Sequence, residues 1–366
     1  MFKFLKELKY FDVPLLTATF LLLLSGFALL YSTSFAETGA SLVFRQFVFA
    51  IAGISAFLFF AFFDYHRLAK TNKIFYVLLL LALTYLLLFG SDIRGGSRWI
   101  DFGIFLFQPA EFVKIVVILG LARLIYLRRG QINSRSILLW SLAYAGVPAA
   151  LVMLEPDLGS ALIILGIWAG LILISPIKKK ILVSIILAFA IAAGLLWQFG
   201  LQDFQRNRVM VFLDPGIDPK GIGYNVKQAG IAIGSGQIFG RGLGKGFQGQ
   251  HRFLPERQTD FIFASSAEEI GFVGSAVLLG LYLVIMVRIL KVAGIAKDNL
   301  GMYICLGAFF LLFGHVIVNL GMNMGLLPVT GIPLPFLSAG GSSLIVNFSA
   351  LGLVQNVAVQ SKVLRF

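Results

Sequence analysis

The stretch RFLPERQTDFIFASSAEE, Arg252 to Glu269, gathers Arg252, Glu256, Arg257, Asp260, Glu268 and Glu269 in a chain that is otherwise mostly hydrocarbon. Leu254-Pro255 marks a turn near its start, and a long apolar run begins at Ile270. Asp260 stands between Thr259 and the apolar Phe261-Ile262-Phe263. A carboxylate beside so much apolar surface is costly unless it is solvated, paired or used. The stretch therefore reads as a polar site presented by a membrane scaffold, with Asp260 at its centre.

Composition points the same way. The 366 residues are 58% hydrophobic and only 13% charged, against about 25% charged in ordinary soluble domains. An all-α polytopic membrane protein fits such a chain. The net charge of +13 would suggest nucleic acid in a soluble protein. Here the basic residues fall in short loops between apolar runs, where they orient helices instead, so no nucleic-acid partner is expected. Cys305, the single cysteine, lies in an apolar run and reads as a packing residue, with no intrachain disulfide. The apolar run Val13 to Tyr31 is too long for a signal-peptide core and reads as a first, retained span.

Ten apolar segments are expected to cross a membrane: 12–32, 44–63, 73–90, 107–126, 137–154, 158–175, 181–198, 266–288, 301–321 and 341–359. Together they make one membrane domain over residues 1–366. Glu155-Pro156-Asp157 turns the fifth into the sixth as a tight hairpin. Basic residues such as Lys3, Lys6, Lys9, Arg67, Lys70, Lys178, Lys179, Lys180, Arg288, Lys291, Lys362 and Arg365 crowd one side, whereas the short loops opposite hold only Arg94 and Arg98, with Arg45 at a helix start. The positive-inside rule then places both termini in the cytoplasm. Residues 199–265 form a long extracytoplasmic loop between the seventh and eighth spans. Within it Gly230 to Gly246 is glycine-rich: it reads either as a basic loop able to hold phosphate or as a re-entrant or interfacial turn. It is no Walker A motif, and the GxGxxG spacing at Gly244, Gly246 and Gly249 lacks the flanking strand and helix of a dinucleotide fold.

Acidic residues are uneven: only Glu7, Asp12, Asp64 and Asp298 fall on the cytoplasmic side. Because acids do not set topology, their bias toward the other side suggests an outward-facing polar site. Arg98-Trp99 reads as part of it or as a solvated loop with an interfacial Trp. Glu111 and Lys114, three apart on one helix face, read as site residues or as a structural ion pair. Asp157 suits a helix N-terminus, as do Glu268 and Glu269. For Asp260 the simple alternative is an ion pair with Arg257; otherwise it is the best candidate general base. The segment GLLPVTGIPLPFLSAGGSS, Gly325 to Ser343, cannot be regular helix and is expected to line a cavity. His315 and Asn319, four apart, suit interhelical hydrogen bonds better than metal ligation.

Ser97-Arg98-Trp99-Ile100, Gln108-Pro-Ala-Glu111, Glu155-Pro-Asp157-Leu-Gly-Ser-Ala161, Leu254-Pro-Glu256-Arg257-Gln-Thr-Asp260-Phe-Ile-Phe263 and the Gly325–Ser343 segment together resemble the SEDS family of polytopic membrane glycosyltransferases (shape, elongation, division and sporulation). The wording around Asp260 is most similar to the elongation members. Ala110 and Gln258 stand where the family often has Ser and His. The resemblance implies a ten-helix peptidoglycan glycosyltransferase that polymerises lipid II at the outer face of the bacterial cytoplasmic membrane, beside a class B penicillin-binding transpeptidase. It implies that Asp260 is the essential acid, with Trp99, Glu111, Lys114, Asp157 and loop arginines including Arg257 around the substrate. In the inverting reaction Asp260 takes the proton of the acceptor's 4-hydroxyl and a polyprenyl pyrophosphate leaves. Arg98, Arg206, Arg208 or Lys227, or a divalent cation (Mg or Mn), are candidates to balance its charge. A lipid flippase is the alternative activity, and a non-catalytic scaffold for the transpeptidase a third reading.

Overall fold

The computed structural model describes residues 9–34, 41–90, 98–103, 105–128, 134–200, 202–247 and 253–363. Arg94, Ser97, Gly249 and Arg252 lie outside the described residues. Every expected apolar segment is a long helix: α1 Val13–Ser34, α2 Ser41–Phe62, α3 Tyr65–Phe89, α4 Pro109–Leu127, α5 Arg135–Leu154, α6 Leu158–Ile174, α7 Lys179–Leu195, α10 Ile262–Gly294, α11 Asn299–Asn323 and α12 Gly341–Val363. Two more helices, α8 Asp203–Leu213 and α9 Ile222–Ser235, fold the segment that was expected to be a loop. A two-stranded ribbon pairs Ile100–Asp101 with Leu106–Phe107.

Seven described helices are long and apolar enough to cross a membrane. Of the remaining expected spans, α6 and α7 have 17 residues each, while α4 carries Glu111, Lys114 and Arg123. The helix starts are chemically fixed. Side chains of Asp64, Asp157 and Asp298 accept from the backbone N–H of His66, Ser160 and Gly301 at 2.9, 3.0 and 2.7 Å, and Pro109 opens α4 where no N–H is needed.

Burial orders the bundle. In its most apolar window α12 is 89% buried and α3 only 17%, so α12 runs through the centre and α3 faces the surroundings. Small residues set the close approach of α2 to α12: a Cβ at Gly352 would stand 2.5 Å from the Phe57 carbonyl oxygen.

The glycine-rich segment has a structural task. α10 breaks at Gly271, whose φ of +66° and ψ of −167° interrupt its ladder. The N–H groups of Phe272 and Val273 donate instead to the carbonyls of Gln237 and Ile238, at 2.9 and 3.0 Å. The carbonyls of Glu268 and Glu269 accept from Arg241 and Gly242 N–H, at 3.0 and 2.9 Å. Residues 237–242 thus satisfy the polar groups that the break frees, as buried backbone demands. The contact is backbone to backbone, since a Cβ at Gly240 or Gly271 would lie 2.2 Å from the opposing chain. Amides that could have cradled a phosphate are spent here, and the Gly244 N–H donates to Ser32 Oγ at 2.7 Å. Glu268 and Glu269 therefore do not open a helix, as their sequence suggested; they stand past its first turn, buried just before the break. Gly271→Ala is expected to destabilise the fold by more than about 1 kcal/mol, read as a lower thermal midpoint of the detergent-solubilised protein.

Candidate active site

A cavity of about 1020 Å³ opens where α2, the 98–108 segment, the α5–α6 hairpin, α8, the 254–260 segment and the 331–343 segment meet. The last two are stitched together: Ser338 Oγ donates to the Thr259 carbonyl at 2.6 Å, and Ala339 N–H to that of Gln258 at 2.8 Å. The Pro- and Gly-rich segment does line a cavity, as its irregular backbone requires.

Asp260 lies on the cavity wall just before α10. Its backbone carbonyl accepts from Asn319 Nδ2 at 3.0 Å and Asn323 Nδ2 at 2.9 Å, two amides one turn apart on α11. Asn319 also holds the Ile332 carbonyl at 2.8 Å, and Asn323 Oδ1 accepts from Ala264 N–H at 3.0 Å. One helix thereby fixes both the acid and the segment opposite it. Gly331 stands opposite the carboxylate, where a Cβ would make an ordinary contact 3.5 Å from Asp260 Oδ2, and its φ of +77° is one that L side chains rarely adopt. The turn that presents Asp260 holds Glu256 at φ +51°, a strained conformation of the kind stored at functional sites. Burial, reinforced by the negative charge of Glu256, pushes the Asp260 carboxyl up to about 6, while Arg208 and a Thr259 hydrogen bond pull it down.

The arginine acting on Asp260 is thus Arg208 on α8, and Arg257 has another task. Arg257 is buried, with Nε and a terminal nitrogen donating to the Thr33 carbonyl at 3.2 and 3.0 Å, so it ties the Asp260 turn to the end of α1. Arg208 is half-buried; burial and Arg98 make its charge harder to hold, and Asp260 and Asp157 offset this. Arg98 donates to the carbonyls of Glu155 at 3.1 Å and Pro156 at 2.5 Å, clamping the α5–α6 hairpin. The Glu155 carboxyl is fully buried with neither oxygen hydrogen-bonded, and burial and Asp157 push it up to about 8. Arg98 opposes this shift, and the net effect favours the neutral carboxyl. Asp157 fills two roles at once, capping α6 through Ser160 N–H and accepting from Gln108 Nε2 at 3.1 Å on the cavity side.

Glu111 and Lys114 form the buried pair expected on α4, with Lys114 Nζ 2.5 Å from Glu111 Oε1. Lys114 Nζ also meets His315 Nε2 at 3.1 Å, and His315 Nδ1 faces the Pro333 carbonyl at 3.3 Å. This arrangement makes Nδ1 the protonated nitrogen and Nε2 the acceptor from lysine. Glu111 lines the cavity, and Lys114 stands behind it.

The structure therefore brings Asp260, Arg98, Trp99, Glu111, Asp157, Arg208 and Arg257 to one cavity. It leaves Lys114, Arg206 and Lys227 off the lining. Arg206 donates to the Gln198 carbonyl at 2.9 Å, and Lys227 is exposed on α9. Three lining residues carried a sequence signal that pointed elsewhere or was missed. Arg45 read as a topology charge, Gln46 is a polar neighbour in an apolar helix, and Phe204 sits one turn before Arg208. Among the described residues no group of three or more His, Cys, Asp or Glu side chains converges as a metal site.

A family model described as "Cell cycle protein" (FtsW/RodA/SpoVE) matches residues 12–363. Peptidoglycan glycosyltransferase MrdB of Escherichia coli (strain K12) is 39% identical over 296 residues, covering 79% of this chain and 78% of that one. Peptidoglycan glycosyltransferase RodA of Treponema pallidum (strain Nichols) is 30% identical over 426 residues, covering 95% and 97%. A solved chain from work on structural coordination of polymerization and crosslinking by a peptidoglycan synthase complex superposes with a TM-score of 0.78 at 30% identity, covering 96% of this chain and 98% of that one. With a family match that runs nearly end to end, this multi-pass membrane protein belongs to the SEDS family of FtsW, RodA and SpoVE.

Proposed function

We propose that the chain is an inverting peptidoglycan glycosyltransferase that polymerises lipid II, with Asp260 as general base. The observation that carries this reading is the Asp260 carboxylate on the wall of a cavity of about 1020 Å³, with its backbone carbonyl held by two asparagines and the charge of Arg208 acting on it. A carboxyl whose pKa is raised toward neutrality is a better base than an ordinary one and is still ionised at pH 7. Asp260 takes the proton of the acceptor sugar's 4-hydroxyl as that oxygen attacks the donor's anomeric carbon. The bond from that carbon to pyrophosphate oxygen breaks with inversion, and the polyprenyl pyrophosphate departs with the electron pair. Arg98 and Arg208, both on the lining, are better placed for its charge than Arg206 or Lys227.

A divalent cation fits this chain only in part. The cavity offers the carboxylates Asp260, Asp157 and Glu256, with Glu111 already paired to Lys114, but among the described residues no three-ligand cage. Such an ion would take most of its ligands from phosphate oxygens and water, as Mg²⁺ commonly does.

In this reading the cavity faces the outer side of the bacterial cytoplasmic membrane and both termini face the cytoplasm, in line with the placement of Lys and Arg. The segment 199–265, with α8 and α9, belongs to the outer side. Cell elongation is the proposed setting. A class B penicillin-binding transpeptidase is the proposed partner, supported by likeness to a chain from a synthase complex that coordinates polymerization and crosslinking. The test is purified protein with lipid II, alone and with the partner, followed by sizing of the glycan product. The expected result is polymer. Absence of polymer in both conditions, with labelled lipid crossing proteoliposomes, would instead establish a flippase.

A further inference from the structure

The ends of α2 and α12 away from the cavity carry a polar cluster that the reaction does not use. α12 lines the cavity at Gly341 and Ser342 and reaches this cluster at Gln360, roughly 28 Å further along at about 1.5 Å per residue. α2 packs beside it, running from Arg45 and Gln46 on the lining to the Phe63-Asp64 corner that leads into α3. Asn356 fastens the two, donating through Nδ2 to the carbonyls of Phe60 at 2.9 Å and Phe63 at 2.7 Å.

His66, in the first turn of α3, stands between two carboxylates from different corners. Its Nδ1 lies 3.2 Å from Asp64 Oδ1, just before α3, and its Nε2 lies 2.8 Å from Asp298 Oδ2, just before α11. The Tyr65 ring stacks on the imidazole with centroids 4.3 Å apart, and its hydroxyl donates to the same Asp298 oxygen at 3.2 Å. Each carboxylate is also fixed from its own side. Asp64 Oδ1 caps α3 through the His66 N–H, and Asp298 Oδ1 caps α11 through the Gly301 N–H. Burial works against charge on Asp64, yet hydrogen bonds from the His66 backbone and ring, the His66 charge and Gln360 of α12 hold its carboxyl below the usual range. Among the described residues the titratable groups in contact with the ring are thus Asp64, Tyr65 and Asp298.

A neutral imidazole has one N–H, so it donates to one of these carboxylates and turns a lone pair toward the other. Only the imidazolium donates to both. We propose that His66 is a proton-operated clasp, whose imidazolium joins the α2–α3 corner to the α10–α11 corner and whose deprotonation releases one of them. Both helix caps survive the release, because they use backbone N–H groups. What changes is the spacing of the two corners, with each helix intact. In the proposed topology the clasp faces the cytoplasm, so it responds to acid there, and α2 and α12 lead from it to the cavity. The proposal does not rest on the reaction assigned to that cavity.

Spin labels at Arg67→Cys and Lys297→Cys, two exposed positions beside the clasp, read the spacing through their dipolar coupling. Cys305 is buried and stays unlabelled. Histidine changes charge between about pH 5 and 8, so the distance distribution should be narrow at pH 5 and longer and broader at pH 8. With His66→Gln added it should be long and broad at both. Asp64→Asn, which keeps an oxygen to cap α3 but not the charge, should also remove the pH dependence, and it serves should His66→Gln fail to fold. A distribution that stays the same from pH 5 to 8 with His66 present would overturn the proposal. So would a pH dependence that persists undiminished in folded His66→Gln or in Asp64→Asn.

Discussion

Asp260→Ala is expected to lower lipid II polymerisation by about 10²–10⁴-fold, the usual contribution of a positioned general base, while the protein still folds. The structure explains why folding should survive. The groups that hold this turn in place reach its backbone: Asn319 and Asn323 take the Asp260 carbonyl, and Ser338 takes that of Thr259. Removing the carboxylate also relieves a group whose charge the cavity wall disfavours. Asp260→Asn should be as inactive as Asp260→Ala, since it keeps shape and hydrogen bonding but accepts no proton. Folded Asp260→Ala that polymerises at the wild-type rate would remove the base assignment.

The second large effect concerns stability. Lys114→Met is expected to destabilise the fold by about 3–5 kcal/mol, because it leaves the Glu111 carboxylate buried without its cation. Both side chains are almost wholly inaccessible, at 0% and 3% exposure, so water cannot replace the lost partner. Glu111→Leu combined with Lys114→Met should recover most of that loss, since an apolar pair can stand in for a buried ion pair. Thermal midpoints of the single and double variants, compared as a cycle, separate the pair's mutual stabilisation from its burial cost. A Lys114→Met variant that melts like the wild type would show that Glu111 gains no stability from Lys114.

Much of this architecture was legible in the chain because apolar length is a strong physical signal. A run of about twenty apolar residues has few stable options other than a spanning helix, and each of the ten became a helix. Asp260 was legible for the opposite reason, as a costly charge with too little local explanation. The parts that could not be read depend on distant backbone. Nothing in Gly230–Gly246 announces that its partner is the break at Gly271, because the contact uses amides and carbonyls and leaves no side-chain pattern. Arg257 read as a partner for Asp260 three residues away, yet it binds the Thr33 carbonyl far back in the sequence. Arg45 carried a charge that served the topology argument equally well, so its place on the cavity stayed hidden. Lys227 and Arg206 were drawn in by charge alone, and charge carries no direction.

The base assignment meets its most direct test in the pH dependence of kcat/KM for lipid II polymerisation. Asp260 must be ionised to accept a proton, and its carboxyl is raised to about 6. Activity should therefore fall on the acid side, with half of it lost near that value. Because Arg208 pulls the Asp260 carboxyl down, Arg208→Gln should move the acid limb to higher pH. A profile flat from about pH 5 to 8, or an acid limb that stays in place in Arg208→Gln, would contradict a mechanism in which Asp260, steadied by Arg208, takes the proton.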